Sequence, residues 1–197
     1  MKRRYPPVLI VVLALWILVT LSTTVVMAYM FRKTPTVNNQ FDPANVSCQI
    51  EETFTNQTTK TSVKVKNTGN IDSYIRLRVI TYWVDSKGNV VARTAPENKF
   101  GKTDGWNYNT DDWLYDSANQ TFYHKAPVSP KADKNLTAEL LKRSISLSIV
   151  EETVNGIRYT YHPVIEFIAE AIQSKPTSAV TDKWNVTVGT TGNITGF

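Results

Sequence analysis

The side chains best suited to chemistry are scattered along this chain rather than gathered. His124 and His162 are its two histidines and fall in separate strand-like stretches. No His-Glu-X-X-His pair occurs, so the ligand number and spacing that zinc requires are missing. Cys48 is the single cysteine and has no intrachain disulfide partner. In VSCQI it alternates with Val46 and Ile50, which places it on the apolar face of a strand as a buried, inert thiol. Glu151, Glu152, Glu166 and Glu170 offer carboxylates for acid and base work, yet outward-facing strand positions account for them more simply. Neither a Gly-rich phosphate loop nor a nucleophile elbow occurs. No catalytic residue, cofactor or metal is assigned, and the chain is expected not to be an enzyme.

The richest candidate is APENKFGKTDGWNYNTDDWLYD, residues 95–116, where Trp106, Tyr108, Trp113 and Tyr115 stand among Asn and Asp. Long loops in compact domains often carry function. Aromatic faces beside amides and carboxylates stack on sugar rings and bind their hydroxyls, which makes these four residues a candidate glycan-binding set. The opposing reading is that Trp113 and Tyr115 open a strand and cover one end of the fold. Asp104, Asn107, Asn109, Asp111 and Asp112 offer oxygen donors for calcium, but not at the fixed alternate positions of an EF-hand.

The elements that must position these residues are short alternating runs: Val46 to Phe54, Thr61 to Asn67, Tyr74 to Val84, Asn89 to Arg93, Thr121 to Lys125, Ile145 to Thr153, Ile157 to His162 and Val164 to Gln173. In YIRLRVITYW, Ile75, Leu77, Val79 and Thr81 form an oily face. Asp85 to Gly88 and Asn155-Gly156 read as hairpin turns, and Asn67-Thr68-Gly69-Asn70 as a reversal between two core strands with a glycine free to take positive φ. Leu136 to Arg143 has helix-forming residues and predicts a helical turn; Pro176 to Trp184 predicts a short helix. The expected class is all-β, an antiparallel jelly-roll or Ig-like sandwich over residues 45–197 with one or two short helices.

Ahead of it, Lys2, Arg3 and Arg4 precede an uncharged run from Val8 to Met30, so residues 1–30 read as an export leader or signal anchor entering the membrane through residues 8–30. Cleavage between Ala28 and Tyr29 by a signal peptidase would free the domain; retention would tether it. Residues 31–44 read as a linker. The net charge of +5 belongs to this end: five of the 22 cations precede residue 34, no acid precedes Asp42, and the remainder carries 17 cations against 17 acids. Without a cationic surplus the exported part lacks the footprint of a nucleic-acid binder. Sequons at Asn45, Asn56, Asn119, Asn135, Asn185 and Asn193 follow from a composition rich in Asn and Thr and locate nothing by themselves.

Taken in order, the leader ending in Ala28-Tyr29, VSCQIEETF, VKVKNTGNIDSYIRLRV, the aromatic loop, YHKAPVSPKADKNLTAELL, and EFIAEAIQ followed by DKW resemble the TasA/camelysin group of Gram-positive bacteria over most of residues 5–184. That group is exported through a signal peptidase of the SipW kind. The resemblance implies a jelly-roll-like sandwich that serves as a structural or accessory subunit of a cell-surface matrix fibre, partnered by itself or a related subunit. It also suggests an assembly strand, Tyr29 to Phe41, with Tyr29, Met30, Phe31, Val37 and Phe41 as apolar anchors added to a neighbour's sheet edge.

Overall fold

The computed structural model describes residues 6–33, 43–56 and 59–197, and for residues 23–33 and Asn56 the backbone only. The chain divides into two units, Met1–Asp42 and Pro43–Phe197. In the first, α1 spans Pro7–Lys33, with proline at its first turn and Leu9 N–H bonded to Pro6 O. Its large apolar side chains from Val8 to Leu21 are exposed. Among the described residues no helix is long and apolar enough to cross a membrane; the side chains of α1 are described only as far as Ser22. The helix includes Ala28, Tyr29, Met30 and Phe31, so the backbone is helical where the linker and assembly strand were expected to begin. Val37 and Phe41 lie outside the described residues.

The second unit is built of antiparallel strands: β1 (Cys48–Asn56), β2 (Thr59–Asn67), β3 (Ser73–Asp85), β4 (Val90–Val91), β5 (Trp113–Asp116), β6 (Thr121–His124), β7 (Ile145–Ser146), β8 (Val150–Val154), β9 (Ile157–Gln173), β10 (Thr187–Val188) and β11 (Ile194–Gly196), with α2 (Ser178–Trp184) after β9. One sheet has the order β1-β2-β7. A second, larger sheet runs β5-β6-β3-β9-β8 with β4 added to β3, and β10 and β11 pair as a two-stranded sheet of their own. Val63 and Val65 from the first pack against Ile75, Leu77, Val79, Phe122, Ile165 and Phe167 from the second, making the core of an all-β sandwich.

The opposite face of the larger sheet is covered at one end. Tyr74 and Tyr123 form a second apolar cluster with Val180 and Trp184 of α2, Val186 and Ile194, while Tyr74 Oη donates to Gly192 O at 2.6 Å. Arg76 bonds Glu170 at 2.6 Å and lies over the Trp184 ring at 4.8 Å. Both Glu170 in EAIQ and the tryptophan after it thus serve this packing.

Three local readings differ from expectation. Ile157 to Gln173 is one strand despite Pro163. In the unbroken β3–β9 ladder Val79 and Asp85 direct N–H to Gln120 O and Asn89 O, away from β9, so the β9 residues turned toward β3 are the partners of even-numbered β3 positions. Pro163 pairs with Trp83, so its missing donor faces the β8 side, where β8 has already ended opposite Tyr161. Leu136 to Arg143 forms no helix. It lies along β2, where Thr137 Oγ1 accepts Val65 N–H at 2.9 Å and Glu139 Oε1 accepts Val63 N–H at 2.6 Å. Ile145 to Thr153 is broken into β7 and β8.

The turn Asn67 to Asn70 does not reverse the chain within a sheet; it carries it from β2 in one sheet to β3 in the other. Gly69 is not at positive φ. A Cβ there would lie 2.3 Å from Asn45 O, so glycine is required by close approach of the backbone ahead of β1.

Candidate functional site

Phe100 organises the loop 95–116. Its ring meets Trp106 at 5.2 Å, Tyr108 at 6.4 Å, Tyr115 at 6.0 Å and Phe122 at 4.8 Å between centroids, mostly edge to face. Trp113 is 1% exposed, donates Nε1–H to Ala138 O at 3.2 Å and sets its ring edge-on to His124. Tyr115 stacks on Phe122 at 4.4 Å, and a Cβ at Gly101 would lie 3.2 Å from its ring. Trp106, Tyr108 and Tyr115 are half-buried against the core. These four residues therefore close one end of the sandwich, Trp113 wholly buried and the other three rings partly open to solvent.

The oxygen-rich stretch is already engaged by cations. Lys125 Nζ donates to Thr110 O and Asp111 O at 2.8 and 2.9 Å, Lys142 Nζ lies 3.5 Å from Asp111 Oδ2, and Asn109 Nδ2 donates to Asp112 Oδ2 at 2.8 Å. Among the described residues no three His, Cys, Asp or Glu side chains gather as metal ligands. Cys48 is half-buried beside Ile50, while Val46 lies outside the strand and is exposed. Burial and then the Glu170 charge push the Cys48 thiol up.

His124 is buried, with Nδ1 2.6 Å from Ala126 O and Nε2 3.3 Å from Ala138 N. The partners define a neutral ring, with Nδ1–H donating and Nε2 accepting. Burial holds its pKa below the usual value, against smaller opposing effects of the Ala126 bond and the Asp112 charge. The sign follows: below about pH 6.5 the unfolded chain binds a proton that the folded chain refuses, so this contribution is intact above about pH 6.5 and is lost as the pH falls. Urea midpoints measured between pH 7.5 and 5.5 should fall with acid, and fall less in His124→Gln.

A cleft of about 570 Å³ with mixed polar and apolar walls opens beside the aromatic cluster, lined by Thr81, Pro96, Asn98, Phe100, Tyr115 and Gln120 among others. Asn98 Nδ2 donates to Tyr115 Oη at 3.0 Å and lies 3.5 Å from Gln120 Oε1; Glu97 and Lys102 form an ion pair at the rim. No protein-family model, curated protein sequence or solved structure matches this chain. The cleft is defined by the geometry of this chain's own residues.

Within that geometry Gln120 stands out. Among the described residues it is the single side chain other than Asn at positive φ, at 50°, a conformation suited to Gly or Asn. Gln120→Gly should therefore raise stability by about 0.5–1 kcal/mol, read as a higher urea midpoint. Sequence reading singled out Tyr115 but missed Gln120, Asn98 and Thr81; the turn composition SANQT, residues 117–121, hides which residue takes the left-handed position, and strand partners are not local.

Proposed function

We propose that this chain is an exported, non-enzymatic cell-surface protein of a Gram-positive bacterium, a structural or accessory subunit of an extracellular matrix fibre. The observation that carries the reading is the sequence of its start: three cations, Lys2, Arg3 and Arg4, then an uncharged run from Val8 to Met30, ahead of a β-sandwich unit whose 17 cations stand against 16 acids. The resemblance to the TasA/camelysin group supports it. The pieces that carry that resemblance also have plain packing roles, in the Asn67–Asn70 crossover and the Arg76–Glu170–Trp184 stack.

Assembly is supported by the ends of the sheets. β8 lies at the end of its sheet, and the β8–β9 hairpin exposes Val154, Ile157 and Tyr159. An edge of this kind accepts an added strand from a second subunit, with Tyr29 to Phe41 as the donor after cleavage at Ala28-Tyr29.

Mass spectrometry of the amino terminus in secreted and membrane fractions of the native host separates the two forms. A start at or near Tyr29 in the secreted fraction identifies a processed subunit, and an intact Met1 in the membrane a tethered one. If a chain truncated to start at Asn45 polymerises like one starting at Tyr29, strand donation by this segment is wrong.

A further inference from the structure

The cleft beside the aromatic cluster lies at a gap in the larger sheet. On the side of β3 away from β9, β6 pairs with Arg76, Leu77 and Arg78, and β4 with Trp83 and Val84. Between them Val79 N–H goes to Gln120 O. Thr81 has the same parity as Val79 and Asp85, so the ladder turns its N–H and C=O into the gap, and the N–H has no partner among the described residues. The outer wall is held apart from the strand by side chains, with Thr81 Oγ1 donating to Pro96 O at 2.6 Å and Trp83 Nε1 to Thr94 O at 2.9 Å.

The cleft therefore offers a backbone donor and acceptor at Thr81, the amides of Asn98 and Gln120, and the Tyr115 hydroxyl. Gln120 Nε2 has no hydrogen-bond partner among the described residues. Glu97 and Lys102 cancel each other's charge. An anion would call for surplus cations and a metal ion for unpaired carboxylates. A peptide strand would need several consecutive open rungs, while the gap leaves Thr81. Neutral donors and acceptors at close quarters match vicinal hydroxyls, each of which donates and accepts. The volume lies within the roughly 300–1,000 Å³ of small-ligand clefts.

We propose that this cleft binds a neutral saccharide chain, read by Thr81, Asn98, Tyr115 and Gln120 through hydrogen bonds. The ligand class is the one suggested by the aromatic loop; the site is a different one, sharing Tyr115. Gln120 is the second line of support. Its turn is better suited to glycine, and keeping glutamine there holds an amide at the cleft. The inference stands whether the chain is tethered or released.

The test is isothermal titration calorimetry of the full-length chain in phospholipid nanodiscs, glycosidic detergents being excluded as competitors, with cellotetraose, chitotetraose and maltotetraose to millimolar concentration. At least one should bind saturably. Gln120→Gly should weaken it at least fivefold while raising the thermal midpoint, and Tyr115→Phe should weaken it while retaining the fold. Backbone exchange at Thr81 should slow with the bound sugar. If none of the three saccharides binds, or if Gln120→Gly binds as tightly as the parent, the proposal is overturned; the higher midpoint of that variant excludes misfolding as the cause of lost binding.

Discussion

Replacing Trp113 with alanine should lower the unfolding free energy of the sandwich by about 3–5 kcal/mol. The indole is 1% exposed in the core that joins the two sheets. Its removal leaves a cavity too large for neighbouring side chains to fill and strips Ala138 O of the Nε1–H donor. It also removes the edge-on partner of His124 at 5.0 Å. Against a total of about 5–15 kcal/mol for an ordinary domain, such a loss populates the unfolded state at mild urea concentration. Urea unfolding of the full-length chain followed by circular dichroism should show a large fall in midpoint for Trp113→Ala and a smaller one for Trp113→Phe, which keeps most of the volume. An unchanged midpoint in Trp113→Ala would mean that the loop is not part of the core.

Asn67→Ala should cost about 2–4 kcal/mol, since loss of buried hydrogen-bonding partners is penalised at about 1–3 kcal/mol each and the effects overlap. Asn67 is 1% exposed and ties three points together. Its Nδ2 donates to Ile71 O and Val128 O at 2.8 Å each, and its Oδ1 accepts Gly69 N–H at 2.9 Å. These bonds fix the crossover from one sheet to the other. Asn67→Asp is informative because the shape is kept while the donor is lost. At neutral pH a carboxylate oxygen would face two carbonyl oxygens, so the aspartate variant should be no more stable than the alanine variant despite its better fit. Thermal unfolding of both variants beside the parent checks the order, and an aspartate variant matching the parent would show that the amide donor does not matter.

Much of this architecture was legible because it is written in local chemistry. Asn155-Gly156 makes the β8–β9 turn with both residues at positive φ, as the dipeptide requires. The alternation of Ile75, Leu77 and Val79 marks the buried face of β3. What was hidden depends on partners remote in sequence. LTAELLKR has the residues of a helix, yet Thr137 and Glu139 are better used as substitutes for the carbonyls of a missing strand beside β2. Pro163 reads as a strand boundary until the end of β8 shows that no donor is needed on that side. The aromatic types in the loop were visible but not the direction of their rings, since packing and sugar binding draw on the same residues. The cleft itself exists because β4 and β6 stop short of each other along β3, which no local pattern encodes.

On the function proposed above, the sandwich unit stands outside the cell. Limited trypsin treatment of intact host cells, with mass spectrometry of the released material and a cytoplasmic protein as control, tests it most directly. Release of the folded unit by cutting after Arg32 or Lys33, or its recovery already free with a start near Tyr29, is the expected result. Full protection of the chain in intact cells, with cleavage only after lysis, would contradict export and with it the matrix role.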